Sequence, residues 1–378
     1  MSEFLNLSDK HVDVLKRMLL DSLDKKMEFE IRFGKFYQDQ NKDKQYKSFD
    51  SNFEIENFYK LKKMLRQVEH DTLLTEEYIY KNPTENGNIK RIVNKKDNSE
   101  TFMVKNVSKT YDIYDYDIRF SSSYEKGYDK SKIMDLENYE LIRKKNRTTY
   151  KFSFGKLDLT IVEQEIKNGK TQLKYEVEFE INNFDLNSIL GTITFVLQTR
   201  QDSFYVISNM ERRYILSEYR NLINGNYFIG AQPETLHKEK ISMLYKNYSV
   251  TDKADGERAF MIIDKSGYVY YIDNNLNRIT KTNLKSQRYT NTLIDGEIVK
   301  QNDKIVFLAF DLVMYNGKDL RNDMKYKLKE RLDRLNHILS SVDNNQFYLL
   351  KLKKYYYTNV FLGSKIILDN VDQNGDYK

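Results

Sequence analysis

The segment MEFEIRF, residues 27–33, alternates charged and apolar side chains without a break. The segment YEVEFEI, residues 175–181, repeats the arrangement. In an extended strand this alternation places the charged side chains on one face and the apolar side chains on the other. Such strands form either an antiparallel sheet with a charged face in water or the polar wall of an interior site. The carboxylates on these faces are Glu28, Glu30, Glu176, Glu178 and Glu180.

The composition predicts a folded protein, because 378 residues with 40% hydrophobic side chains can form the cores of two domains. The sequence contains no cysteine, which excludes disulfides and cysteine-ligated zinc. It lacks a long apolar stretch and a signal-peptide pattern, so we expect a cytoplasmic protein without membrane association. The net charge of +6 is compatible with nucleic-acid binding but does not demonstrate it.

The chain divides into regions of different periodicity, which together indicate an α+β protein. Residues 27–181 are dominated by period-two segments rich in tyrosine, phenylalanine and isoleucine. A Gly- and Pro-containing stretch predicts a domain boundary near 225, giving domains 1–225 and 226–378. Helical spacing is found over 8–23, 53–68, 184–224 and 322–341.

A third segment of the β-rich region, LIRKKNRTTYKF at 141–152, presents a row of bases on one strand face. If the sheet closes into a barrel, these bases and the glutamates point into the same interior. Rows of like charge need intervening cations, so the glutamates predict a Mg²⁺ or Mn²⁺ site with oxygen ligands. Carboxylates that hold a metal beside arginines and lysines form a site for a polyphosphate.

These three segments resemble the triphosphate tunnel metalloenzymes, in particular the RNA 5′-triphosphatase domains of viral and fungal mRNA capping enzymes. The resemblance implies a closed antiparallel β-barrel flanked by helices, which removes the γ-phosphate of triphosphate-ended RNA with Mg²⁺ or Mn²⁺. It implies metal ligation by Glu28, Glu30 and Glu180, with Glu178 also catalytic and Glu176 supporting. The substrate-binding residues that it implies are Arg119, Arg143, Lys145, Arg147, Lys151 and Asp158.

The second half contains VTDKADGERAF, residues 250–260. Asp-Gly is a common hairpin dipeptide, so a simple turn is one interpretation. Two downstream blocks favour another: TLIDGEIV at 292–299 and IVFLAFDLVMYNGKDL at 305–320. In this order the three blocks resemble the covalent nucleotidyltransferases, which include mRNA guanylyltransferases and ATP-dependent ligases.

The nucleotidyltransferase resemblance implies that Lys253 attacks the α-phosphorus of a nucleotide, displaces pyrophosphate and retains the nucleoside monophosphate. It implies that Arg258 contacts the ribose and that Glu297 contacts the ribose or a metal. Phe310 would stack on the base, with Phe307 as the less favoured choice. A protonated amine cannot attack, so we expect desolvation and neighbouring cations around the lysine.

The order of the two halves favours mRNA capping, since the first would produce a diphosphate RNA end that the second consumes with GTP. FIGAQPETL at 228–236 and LLKLKKYYY at 349–357 also resemble guanylyltransferase segments. The chain as a whole resembles the multifunctional capping enzymes of large nucleocytoplasmic DNA viruses. That resemblance implies 5′-triphosphate RNA and GTP as substrates and a cap methyltransferase domain or subunit as a partner. It also implies a viral factory or virion as location.

The resemblance stops before the later guanylyltransferase motifs and the OB-type lid, so we expect an incomplete second domain. No glycine-rich methyl-donor fingerprint is found in the sequence. Two alternatives remain open. One is an ATP-dependent polynucleotide ligase whose first half binds nucleic acid, and the other is a non-catalytic module that binds RNA or a partner protein.

Overall fold

The computed structural model divides the chain into two compact units, Met1–Asp202 and Ser203–Lys378. The boundary lies before the expected position near 225. The reason is that a helix at Asn209–Ile223 buries Ile215 and Tyr219 in the core of the second unit. The structure describes residues 5–38, 47–81, 88–133, 135–166, 169–245, 248–286, 288–301 and 304–374.

The first unit is built on a closed antiparallel barrel. Its strands are β1 Glu28–Phe33, β2 Lys35–Gln38, β3 Lys47–Asp50, β4 His70–Tyr80, β5 Ile89–Asn94, β6 Glu100–Ile113, β7 Ile118–Gly127, β8 Leu141–Phe152, β9 Gly155–Ile166 and β10 Thr171–Ile181. Among the described residues, eight of these strands close in the order β1-β10-β9-β8-β4-β5-β6-β7. Strands β2 and β3 form a separate two-stranded sheet. The predicted closed barrel is therefore confirmed.

The apolar face of the barrel points outward and is covered by helices. The helices of this unit are α1 Asp9–Asp24, α2 Ile55–Met64 and α3 Leu186–Gln201. Helix α1 packs on β1 and β7, and α2 packs on β10 and α3. Phe29, Ile31 and Phe33 of β1 are fully buried, each worth about 1.5–3 kcal/mol of hydrophobic stabilisation. The hydrophobic core thus lies outside the barrel, and the charged faces of the strands are left to line its interior.

The second unit contains a mostly antiparallel sheet. Its strands are β11 Glu257–Ile263, β12 Tyr268–Asp273, β13 Ile279–Lys285, β14 Thr292–Gln301, β15 Lys304–Tyr315, β16 Lys318–Asp319 and β17 Tyr348–Leu352. In the described part of this unit they form one seven-stranded sheet in the order β13-β12-β11-β14-β15-β16, with β17 parallel to β15. The adjacency of β11, β14 and β15 brings the three sequence blocks of the second half together.

The helices of the second unit are α4 Asn209–Ile223, α5 Leu328–Ser340 and α6 Val360–Asn374. Helix α5 packs on β15 and β17 and begins later than the predicted helix over 322–341. Helix α6 was not predicted from the sequence. Of the helices in the described residues, none is both long and apolar enough to cross a membrane.

Candidate functional site

The barrel encloses a cavity of about 340 Å³ whose wall is almost entirely charged. Eight carboxylates line it: Glu28, Glu30, Glu77, Glu125, Asp158, Glu176, Glu178 and Glu180. Seven bases line it: Arg32, Lys90, Lys105, Arg143, Lys145, Arg147 and Lys156. We call this space the barrel cavity. Its charges are nearly balanced, so the wall neutralises itself in the absence of a ligand.

The glutamate strands supply one side of the barrel cavity. Strands β1 and β10 are hydrogen-bonded neighbours, and their register places Glu30 directly opposite Glu180. Glu30 is only 8% exposed and Glu176 only 6% exposed. The interpretation in which these glutamate faces point into bulk water is therefore wrong.

The basic strand β8 reaches the same cavity through three of the four bases that the sequence pattern placed on one face. Arg143 Nη2 donates to both carboxylate oxygens of Glu176 at 2.8 Å. Lys145 Nζ lies 2.6 Å from Glu77 Oε1, and Arg147 Nη1 lies 3.2 Å from Asp158 Oδ2. The predicted meeting of the glutamates with Arg143, Lys145, Arg147 and Asp158 in one interior is present in the structure.

Two lysines that were not predicted form ion pairs with the proposed metal ligands. Lys105 Nζ lies 2.9 Å from Glu28 Oε2 and 3.3 Å from Glu30 Oε2, and Lys156 Nζ lies 2.9 Å from Glu180 Oε2. Among the described residues, no three carboxylate or imidazole groups converge closely enough to hold a metal ion. The predicted convergence of Glu28, Glu30 and Glu180 on one ion is therefore not formed, because ammonium groups compensate these carboxylates instead.

The residues present nevertheless fit a hard divalent cation and a phosphate chain. Carboxylate oxygens on adjacent strands are the donors that Mg²⁺ and Mn²⁺ prefer. Four buried side-chain atoms of the wall lack a hydrogen-bond partner in the described structure: Glu30 Oε1, Arg32 Nε, Glu77 Oε2 and Arg143 Nε. Unsatisfied buried donors and acceptors are costly, so a polar ligand in the barrel cavity would stabilise them.

The carboxylates of the barrel cavity differ in their affinity for protons. Burial acts to raise the pKa of Glu178, but Lys145, Arg147 and other nearby bases outweigh it and hold that pKa below its ordinary value. Burial raises the pKa of Glu180, and the contact with Lys156 offsets only part of the effect. Burial and the neighbouring guanidinium groups lower the pKa of Lys145. Glu178 therefore keeps its charge to lower pH than Glu180 does.

Two predicted substrate-binding residues do not line the barrel cavity. Arg119 donates to Asp112 at 2.7 and 2.9 Å, and its guanidinium lies 4.7 Å from the ring centroid of Phe49. Lys151 has a side chain that is 47% exposed and pairs with Asp71 at 2.6 Å. Both residues have the strand parity of the interior face but lie near strand ends, beyond the charged part of the cavity. Parity predicts a face but not a height along the barrel axis.

The sequence analysis did not identify four charged residues of the cavity wall on strands β4 to β7: Glu77, Lys90, Lys105 and Glu125. The glutamate strands show runs of like charge, whereas β4, β5 and β6 each place a single charged side chain on the cavity wall. Strand β6 also contains a register shift between Val107 and Lys109, which interrupts its alternation. A search for isolated inward charges on every strand could have found these residues.

The second unit brings together most of the residues predicted for nucleotide binding. Arg258 on β11 is the register partner of Glu297 on β14 and donates to both oxygens of Asp295 at 3.1 and 2.7 Å. Its guanidinium lies 5.6 Å from the ring centroid of Phe310. Lys353 Nζ lies 3.9 Å from Glu297 Oε2 and 5.8 Å from the same ring. We call these five residues the nucleotide cluster.

Asp295 and Lys353 are the members of the nucleotide cluster that the sequence analysis missed. Burial raises the pKa of Asp295, although the contact with Arg258 opposes this shift. Phe307 is fully buried and stacks on Tyr271 at 4.9 Å between ring centroids, which leaves it unable to meet a base. Phe310 is only partly buried, so the structure favours it over Phe307 as the aromatic residue of the site.

Among the described residues, no ion pair or hydrogen bond joins the Lys253 side chain to the nucleotide cluster. Its side chain is 85% exposed, and within the described residues its ionic contact is with Asp255, 3.4 Å away. Ala254, the next residue, is buried against Val306 and Leu308, which anchors the backbone beside the lysine. The desolvation expected around Lys253 is therefore not found in the part of the chain that the structure describes.

Comparison with known protein families accounts for both units. The model described as "mRNA capping enzyme, beta chain" matches residues 19–207. The model described as "mRNA capping enzyme, catalytic domain" matches residues 194–361. The first match spans half of the chain, and together the two cover the barrel and the sheet that carries the nucleotide cluster.

Individual relatives agree with these families. A probable mRNA-capping enzyme of Acanthamoeba polyphaga mimivirus is 32% identical over 231 residues, which are 57% of this chain and 20% of that protein. An mRNA-capping enzyme of Danio rerio is 36% identical over 103 residues, 24% of this chain and 17% of that protein. The chain thus spans about a fifth of the length of these curated relatives.

A solved structure of the RNA triphosphatase domain of a trifunctional mimivirus mRNA capping enzyme is 17% identical. It covers 51% of this chain and 99% of that domain, with a TM-score of 0.37. The family matches and the mimivirus relative carry the assignment. The chain belongs to the mRNA capping enzymes, with a triphosphatase-type unit followed by a guanylyltransferase-type unit.

Proposed function

We propose that the first unit hydrolyses the γ-phosphate of triphosphate-ended RNA and that a divalent cation, Mg²⁺ or Mn²⁺, is required. The observation that carries this proposal is the barrel cavity, a space inside the closed barrel that is walled by eight carboxylates and seven bases. A site for a neutral or hydrophobic ligand would not need so many charges, since each buried charge costs free energy unless it is paired.

The charge balance of the barrel cavity supports the metal requirement. The wall already neutralises itself, so a triphosphate, which adds several negative charges, leaves a deficit of positive charge. Glu28, Glu30 and Glu180 would hold the cation, which when bound would polarise the terminal phosphorus and orient a water. Arg143, Lys145 and Arg147 would bind and neutralise the phosphate oxygens. To do so, the bases must exchange carboxylate partners such as Glu176 and Glu77 for phosphate.

Release of radiolabelled phosphate from γ-labelled triphosphate RNA tests this proposal. We expect Mn²⁺- or Mg²⁺-dependent release by the wild-type protein and a loss of at least about 100-fold in Glu28→Ala and Glu180→Ala. Glu163→Gln, which changes an exposed glutamate of β9, serves as the control and should retain full activity. If the wild-type protein releases no phosphate with either metal, the first unit is a binding module instead.

We further propose that Lys253 of the second unit accepts GMP from GTP. The neutral amine would attack the α-phosphorus, a P–N bond would form as the nitrogen releases a proton to solvent, and pyrophosphate would leave with the electron pair of the broken P–O bond. The nucleotide cluster supports this role, because Arg258, Glu297, Lys353 and Phe310 come together from β11, β14, β15 and the residue after β17. Phe310 offers an aromatic face for a base, and the charged groups lie beside it.

Incubation with α-labelled GTP or ATP, followed by denaturing electrophoresis, tests the second proposal. We expect a labelled GMP adduct with the wild-type protein, or with it plus the C-terminal segments of a relative, and no adduct with Lys253→Ala. Lys265→Ala, which removes an exposed lysine paired with Glu218, is the matched control. A labelled AMP adduct at Lys253 would instead support the polynucleotide ligase.

We also propose, on the strength of the mimivirus relative, that capping takes place in the cytoplasm, in a viral factory or virion. A separate methyltransferase domain or subunit would then methylate the cap. Immunolocalisation in infected cells, with the capped RNA product analysed for methylation, tests both statements. A nuclear signal would contradict the first.

A further inference from the structure

Lys105 lies at the meeting point of three carboxylates inside the barrel cavity. Its Nζ is 2.9 Å from Glu28 Oε2, 3.3 Å from Glu30 Oε2 and 3.6 Å from Glu125 Oε1. The side chain is only 17% exposed, so these contacts are weakly screened by solvent. No other lysine of the wall contacts so many carboxylates within the described structure.

The position of this ammonium group coincides with the ligands proposed for the divalent cation. Glu28 and Glu30 cannot give the same oxygens to an ammonium at about 3 Å and to a small dication at the shorter distances that Mg²⁺ requires. A cation placed between the two glutamates would also repel the ammonium strongly in a partly desolvated space. One of the two cations must therefore leave when the other is bound.

Lysine is suited to such an exchange. Its charge is a single point on a flexible four-carbon stem, and its contacts are not the rigid bidentate pairs that arginine makes. The barrel cavity has a volume of about 340 Å³ in which the ammonium can take a new position.

We propose that Lys105 is an exchangeable counter-ion: its ammonium, held by Glu28, Glu30 and Glu125, takes the place of the divalent cation at Glu28 and Glu30 until that cation displaces it. Lys105 is thus a positioning residue, which keeps the empty ligand set together and sets the metal concentration at which the site fills. This inference rests on the proposed metal-dependent function of the first unit.

Titration calorimetry with Mn²⁺ alone, without RNA, tests the exchange. Removal of the competing ammonium in Lys105→Gln should tighten Mn²⁺ binding by at least about tenfold, because one unit of charge repulsion at short range is lost. Lys105→Arg retains the charge and should stay within about threefold of the wild-type affinity. Lys90→Gln is the matched control, since Lys90 lines the same cavity without an ion pair in the described structure. It should tighten binding by less than about threefold, through long-range charge alone.

The outcomes separate the inference from the proposed function. If the wild-type protein binds no Mn²⁺, the metal site itself is wrong. If the wild-type protein binds Mn²⁺ and Lys105→Gln binds it with equal or lower affinity, the proposed exchange of Lys105 is wrong, whereas the proposed metal site is supported. An equal increase in Mn²⁺ affinity in Lys90→Gln would also contradict the exchange, because the increase would then come from the reduced positive charge of the cavity as a whole.

A measurement on the unmutated protein covers the case in which Lys105→Gln fails to fold. In ¹⁵N-lysine-labelled protein, the Lys105 ammonium should give a slowly exchanging NMR signal, assigned by its absence from Lys105→Arg. Addition of diamagnetic Mg²⁺ should shift this signal and speed its exchange with water. A Lys105 signal that does not change at saturating Mg²⁺ contradicts the proposal.

Discussion

Two lysines, Lys145 in the barrel cavity and Lys253 beside the nucleotide cluster, are both expected to act on phosphates, yet their surroundings are opposite. Lys145 is 7% exposed and lies 2.6 Å from Glu77. The side chain of Lys253 is 85% exposed and lies 3.4 Å from Asp255, which is also exposed. The difference shows that closure of the barrel encloses the residues of the first site, whereas the sheet of the second unit brings the nucleotide cluster together and leaves Lys253 exposed.

The difference has a structural cause. Every strand of the barrel has two hydrogen-bonded neighbours, so an inward side chain is surrounded on all sides by other strands. Lys253 precedes β11 in a segment without regular structure, and only the backbone beside it is anchored. Burial in the first unit therefore follows from topology, and burial of Lys253 requires something to cover it.

The largest expected difference between the two lysines is in stability. Lys145→Met should lower the free energy of unfolding of the first unit by about 3–5 kcal/mol, because it leaves Glu77 buried without its nearest partner. Lys253→Met should change stability by less than about 0.5 kcal/mol, as exposed substitutions usually do. Hydrogen exchange with mass spectrometry, read separately in β4, β8 and the second unit, measures both effects. Equal losses of protection would contradict the comparison.

A glycine next to the nucleotide cluster, Gly230, predicts a smaller loss of stability in the second unit. A Cβ on Gly230 would lie 2.5 Å from Arg258 Nη2 and 2.7 Å from Asp295 Oδ2. We expect Gly230→Ala to cost about 1–3 kcal/mol through overpacking and to reduce the yield of the GMP adduct. Gly127→Ala is the control, because its Cβ would meet no atom within 4 Å. Thermal unfolding and adduct formation measure the two effects, and a Gly230→Ala protein that matches wild type in both contradicts the packing argument.

The smallest expected effect is the order in which the carboxyl groups of Glu178 and Asp295 take up protons as the pH falls. Folding lowers the pKa of Glu178, so its stabilising contribution is present above the unfolded pKa and is lost as pH falls through the lowered value. Folding raises the pKa of Asp295, so its ionised form destabilises the folded state, and that penalty disappears as pH falls below the raised value. Carboxyl ¹³C NMR should show Asp295 taking up its proton at higher pH than Glu178. The reverse order would show that the barrel cavity does not favour ionised carboxylates.

The sequence predicted the barrel well because its strongest signals come from strands that carry the same charge at every second position. Five glutamates on β1 and β10 and four bases on β8 were assigned to one interior, and the structure brings the glutamates together with three of the bases, Arg143, Lys145 and Arg147. The second half was predicted through three short blocks, and Arg258, Glu297 and Phe310 do meet.

Some site predictions failed because the sequence does not specify how far along the barrel a side chain lies or which distant side chains it meets. Arg119 and Lys151 are on the inward face of their strands but lie near the strand ends. Alternation along a strand predicts the face of a side chain and not its position along the barrel axis. Lys105 and Glu77 are isolated charges on their inward faces, so nothing in their own segments separates them from solvent-facing residues. The predicted metal convergence failed because charges from distant strands, which pair only after closure, compensate Glu28, Glu30 and Glu180.

The closure of the barrel also has a consequence for how the protein is made. Strand β1 completes the ring by pairing with β10, which joins Phe29 to Ile181 and Phe33 to Val177. Such distant pairing carries a loop-closure cost before any contact compensates it, and it slows folding. On a ribosome, the first strand to emerge must wait for nearly the whole unit before it finds its second neighbour. Until then its edge stays open, and helix α1, which packs on β1 and β7, covers only its apolar face.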